Sequence, residues 1–161
     1  MDTTYTYIKV LIDTLQKKKS VMEQIYDGTK QQKALLQSGK FKEDEFQKTI
    51  SLKEMLLHEL GKLDNGFEQI YERVSLVLKH NKDMYKDDIL IAQNLIQQIM
   101  DLNVSIRAME EQNKERFSVC IAEQRKQVGS IRSNNKVVNN YYKNMPNIHQ
   151  MGQSYFVDKK N

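Results

Sequence analysis

Hydrophobic positions recur along the chain at steps of three and four residues or their sum, and they do so in three long stretches. In the first, Ile8, Leu11, Leu15, Met22, Ile25, Thr29 and Leu36 fall on one stripe; in the second, Phe46, Ile50, Leu57, Leu60, Phe67, Ile70, Val74 and Val77 do the same, with Leu56, Leu63 and Leu78 widening it. The third runs through Ile89, Ala92, Leu95, Ile96, Ile99, Leu102, Ile106, Met109, Phe117 and Cys120. This is the period of amphipathic helices, and no strand-like alternation competes with it. The pattern predicts helices over about 4–38, 43–79 and 84–142, forming one domain over 1–143, with 144–161 as a flexible tail. Polar stretches at 38–42 and 80–83 separate the helices, and Pro146 is the only proline. Glu43, Asp44 and Glu45 suit the positive end of the second helix. Gly61 and Gly66 lie inside that helix, either where another helix or a bend needs them or as tolerated weak points.

Short connections favour antiparallel neighbours, so the expected fold is all-α: an elongated up-down-up bundle of three long helices. At about 1.5 Å per residue the first two helices span roughly 50 to 55 Å, and a third reaching Tyr142 approaches 90 Å. Cover from the second helix then ends near residue 121, and the third overhangs by about 20 residues.

Charge sharpens that expectation. The net charge is +4, yet residues 1–122 carry 18 Lys and Arg against 19 Asp and Glu, whereas residues 123–161 carry seven against two. Within the basic segment Ile121, Val128, Ile131, Val138 and Tyr142 keep heptad-like spacing, flanked by Val137 and Tyr141. An apolar face without cover folds back, dimerises or receives another protein. Arg125, Lys126, Arg132 and Lys136 border the stripe and would steer an acidic partner. Lys17, Lys18 and Lys19, by contrast, read as a solvated face whose stems lie over the core edge.

Composition supplies a foldable core, since 39% of the residues are hydrophobic. A single cysteine, no secretion leader and no apolar run near 20 residues lead to the expectation of a cytoplasmic protein without membrane insertion. The Asn103-Val104-Ser105 sequon then has no glycosylating context.

Chemical motifs are missing. His58-Glu59 begins like a helical zinc-protease motif, but Lys62 stands where the second histidine belongs; Glu54 and His58 are four residues apart rather than the three of a di-iron pair. The chain contains no phosphate loop, nucleophile elbow or dinucleotide fingerprint, and Cys120 falls in an apolar stripe. We therefore expect no catalytic residue, no metal, no cofactor and no enzyme activity. Nucleic-acid binding is disfavoured because the C-terminal cations are sparse and separated by Asn and Ser, although Tyr141 and Tyr142 are able to stack.

Several local patterns occur in a particular order. They are Lys33-Ala34-Leu35-Leu36, then Lys53-Glu54 with Leu56-Leu57, Leu60 and Leu63, then the run from Gly66 to Tyr71, GFEQIY. Ile106, Glu110, Asn113 and Phe117 follow, then Tyr141-Tyr142 with Met145, and finally Phe156-Val157-Asp158-Lys159-Lys160. In this order and at this length the chain resembles flagellar export chaperones of the FlgN family, FlgN/FliT-like and of the Gram-positive type. The resemblance implies a cytosolic type III secretion chaperone that holds hook-associated (hook-filament junction) proteins unassembled until export. It also implies docking on the flagellar export gate, with Tyr141 or Tyr142 as a contact. On this expectation the partner-binding residues are Ile121, Val128, Ile131, Val138, Tyr141 and Tyr142, and a partner helix completes the open bundle. The alternative is a dimeric coiled-coil structural or adaptor protein, and a weak homodimer is compatible with either.

Overall fold

The acidic first turn expected for the second helix stands where the sequence places it. In the computed structural model, which describes residues 3–128 and 135–150, α1 spans Thr3–Gln37 and α2 spans Glu43–His80. Glu43, Asp44 and Glu45 occupy the first turn of α2, and Lys79 and His80 its last, so both ends carry the charge that the helix dipole favours. Gly39, at φ 79°, lets the chain leave α1 through the left-handed region, and Ser38 Oγ lies 2.9 Å from the carbonyls of both Leu35 and Lys40, to either of which its one proton can be donated. Asn81 closes α2 by donating its backbone N–H to the Val77 carbonyl at 3.0 Å. After the turn, α3 spans Lys86–Val128 and α4 spans Asn135–Gln150.

All elements among the described residues are α-helical, with three long helices and a short fourth. Both α2 and α3 pack along α1, whereas the backbones of α2 and α3 stay apart and leave a seam between them. The central core joins Leu15, Met22 and Ile25 of α1 to Leu57, Leu60 and Phe67 of α2 and to Ile96, Ile99 and Ile106 of α3. A smaller cluster of Ile8, Ile12 and Tyr85 closes the end near the α2–α3 turn. No helix is long and apolar enough to cross a membrane among the described residues.

The helix predicted over 84–142 is instead two helices. α3 ends at Val128, and α4 begins at Asn135 and returns to lie on α2 and α3. The reason is burial: Val138, Tyr141, Tyr142 and Met145 join Leu36, Phe46, Ile50, Phe117 and Ile121 in a second core at the α1–α2 turn. Ile121, Val138 and Tyr142 of the apolar stripe are thus covered from within the chain. Gly129, Ser130, Ser133, Asn134 and Asn135 are weak helix formers and carried the signal for the break. α4 also continues through Pro146, so residues 144–150 of the expected tail are helical, while 151–161 lie outside the described residues.

Two further positions differ from expectation. Lys18 is buried, and its ammonium reaches Asp64 Oδ1 of α2 at 2.6 Å, a partner 46 residues away that spacing alone does not reveal. Burial pulls Lys18 below the usual lysine range and pushes Asp64 up to about 6, with their mutual attraction opposing both shifts. Val77 is exposed rather than part of the core face. The glycines divide clearly. A Cβ at Gly61 or Gly66 meets nothing within 4 Å, whereas one at Gly28 lies 3.1 Å from Lys53 Cγ, so the close approach is at Gly28. Gly61→Ala is expected to raise the unfolding free energy by about 1 kcal/mol in urea titrations, because it restrains the unfolded chain and fills open space.

Candidate functional site

The seam between α2 and α3 is filled in its lower half, near the α1–α2 turn, and open in its upper half, near the α2–α3 turn. The filling begins with a buried polar cluster. Lys53 of α2 and Glu110 of α3 have no exposed side-chain surface, and Lys53 Nζ donates to Glu110 Oε1 and to Gln32 Oε1 of α1, the latter at 3.0 Å. Thr29 Oγ1 lies 2.8 Å from the Ile25 carbonyl and 3.2 Å from Glu110 Oε1. Asn113 Nδ2 donates to the Thr29 carbonyl at 3.1 Å. Four of these residues were visible as polar interruptions of apolar stripes: Lys53 between Ile50 and Leu57, Gln32 between Thr29 and Leu36, and Glu110 and Asn113 between Ile106 and Phe117. Periodicity is able to place them inward, a signal the expectations above did not use, but it does not say that they meet.

The fourth helix caps this cluster. Tyr141 OH donates to Glu110 Oε1 at 2.7 Å, and the Lys53 ammonium sits 5.1 Å from the Tyr141 ring centroid. Burial pulls Lys53 down to about 7 and keeps the Tyr141 phenol protonated far above its ordinary range. An amine of that basicity resembles a nucleophile, but it has no opening to a substrate. The cluster instead sets four helices at one level.

Below it lies an aromatic pocket. Phe46 and Phe117 have ring centroids 6.1 Å apart, and Tyr142 lies 6.3 Å from Phe46 and 5.6 Å from Phe117. Phe41 closes the edge at 5.5 Å from Phe46 and 5.7 Å from Phe117. Cys120 is half-buried, its Sγ 3.5 Å from the Leu36 carbonyl, and burial raises its thiol above the usual range, the opposite of an activated nucleophile.

The upper half of the seam is a cleft of about 400 Å³ lined by Tyr71, Ser75 and Leu78 of α2 and by Ile89, Leu90 and Gln93 of α3. Lys79, Lys82, Asp83 and Lys86 form its rim at the turn. Leu90, which lines the cleft, and Met100 and Val104 further along are exposed and share one face of α3.

The residues expected to bind a partner are therefore divided. Ile121, Val138, Tyr141 and Tyr142 are brought together, but they are buried by their own chain rather than exposed. Lys126 and Lys136 are solvent-exposed. Val128 ends α3, and its side chain and that of Arg125 are outside the described residues, as are Ile131 and Arg132 altogether. No group of three or more His, Cys, Asp or Glu able to hold a metal occurs among the described residues. Comparisons with protein-family models, curated proteins and solved structures find no match.

Proposed function

We propose that this chain is a non-catalytic, cytoplasmic helix-binding protein, an export chaperone that holds hook-associated flagellar subunits unassembled. The observation that carries the reading is α4 itself: an amphipathic helix lies in the lower half of the α2–α3 seam, and the upper half offers apolar surface of the same kind without an occupant from the described chain. A groove that accepts one amphipathic helix suits another by the same burial of an apolar face between two helices. The residues behind the family resemblance support it further. Lys53, Ile106, Glu110, Asn113, Phe117, Tyr141 and Tyr142 lie in different parts of the sequence, yet all line the seam or the core beneath it. The dimeric alternative draws less support from the described residues, since Ile121, Val138 and Tyr142 of the stripe are buried within the chain.

A hook-associated protein from the same genome supplies the test. Its C-terminal helical segment is expected to form a one-to-one complex with this chain in sedimentation velocity and calorimetry, and to stay soluble in that complex. No complex at tens of micromolar would reject the reading.

A further inference from the structure

The open half of the seam carries a direction as well as an apolar floor. Lys79, Lys82 and Lys86 surround its end at the α2–α3 turn, with Asp83 as the one acidic residue lining the cleft there. Further along the same side of α2, at steps of three and four residues from Lys79 and Ser75, stand Glu72 and Glu68. Positive charge at the turn thus gives way to negative charge about 16 Å along. A bound helix has the complementary polarity when its C-terminal end, partially negative, lies at the lysines and its N-terminal end lies toward Glu68 and Glu72.

Length and continuity agree with this. Leu90 to Val104 spans about 21 Å of α3, enough for some four turns of a partner. α4 returns antiparallel to α3: α3 ends near the α1–α2 turn, and Tyr141 reaches back to Glu110. Its C-terminal end therefore points up the seam, and a second helix in the stated direction follows it end to end, with the two dipoles aligned.

We infer that the upper half of the α2–α3 seam binds, in line with α4, an amphipathic helix of another protein whose last turn is acidic and lies among Lys79, Lys82 and Lys86. The inference rests on the chaperone reading for the identity of that protein, but not for the site. The chain's own residues 151–161 are the poorer occupant, since they bring Lys159 and Lys160 against one acid, Asp158, to a lysine-lined end. A second copy would offer α4, which contains no acidic residue.

Two synthetic 18-residue helical peptides test this with the full chain. Both carry a leucine stripe at three- and four-residue steps; one ends in Glu residues with a free carboxylate, the other in Lys residues with an amide. The acid-ended peptide is expected to bind at least tenfold more tightly, and Lys79→Glu/Lys82→Glu/Lys86→Glu to abolish that preference. Leu90→Asp/Val104→Asp, at exposed positions, is expected to leave the circular-dichroism melt unchanged and to weaken both peptides more than tenfold. A spin label at the acidic end is expected to broaden Leu78 and Ile89 resonances before those of Met100 and Val104.

Equal binding of the two peptides, the reverse broadening, or binding that survives Leu90→Asp/Val104→Asp would overturn the inference. So would tighter peptide binding by Phe156→Asp/Val157→Asp, which would place the chain's own tail in the seam, or a dimer dissolved by Leu90→Asp/Val104→Asp. If the peptide binds as described and the hook-associated segment does not bind, the site stands and the export reading falls. If that segment binds wild type and Leu90→Asp/Val104→Asp equally, the export reading stands and this site falls.

Discussion

Lys53→Met is expected to lower the unfolding free energy by about 3–5 kcal/mol in urea titrations, because it leaves the Glu110 carboxylate buried without its cation. The companion result separates this cost from any net worth of the pair. Lys53→Met/Glu110→Leu removes both charges at similar volume and is expected to return to within about 2 kcal/mol of wild type, the remainder reflecting the bonds lost by Gln32 and Tyr141. The pair also leaves a mark on the pH dependence. Lys53 sits near 7 in the folded chain, against an ordinary value of 10.5, so between those limits the unfolded chain binds the proton more often. Stability from this group is fully present above 10.5 and is lost as pH falls through 7. The rise in melting temperature from pH 7 to pH 9 is expected to be larger in wild type than in the double variant, and an equal rise would remove Lys53 as its source.

Phe46→Ala is expected to cost about 3–5 kcal/mol, near the upper end for a core truncation. Phe46 has no exposed surface and touches three other aromatic rings, from the α1–α2 turn, α3 and α4. Those neighbours belong to separate elements that cannot all move inward together, so the cavity persists. Because Tyr142 is one of them, the loss extends to the seat of α4. Equilibrium unfolding measures the cost, and a change under 1 kcal/mol would mean that the pocket collapses or is not formed.

The three long helices were legible because their stripes extend over about eight turns each, far longer than any accidental period. What was not legible depended on long-range pairing. Lys18 lies within a run of three lysines that looks uniformly solvated, and only the approach of Asp64 turns it inward. Lys53, Gln32, Glu110 and Asn113 each interrupt an apolar stripe, but their meeting requires the relative height of three helices, which periodicity does not contain. The C-terminal stripe was recognised by its spacing and assigned to an overhang because no proline precedes Pro146. Gly129, Ser130, Ser133, Asn134 and Asn135 are weak helix formers whose signal the expected single helix passed over, and the aromatic pocket at Phe46 and Phe117 provides the burial that draws α4 back. The candidate site moved accordingly, from an exposed final helix to the seam that this helix half fills.

Amide hydrogen exchange on the free, full-length chain tests most directly whether α4 is seated in the seam. Residues Val138 to Met145 are expected to exchange in step with Phe117 to Ile121, since both stretches belong to one buried cluster. Exchange of Val138 to Met145 at the rate of an isolated helix, while Phe117 to Ile121 stay protected, would contradict the account.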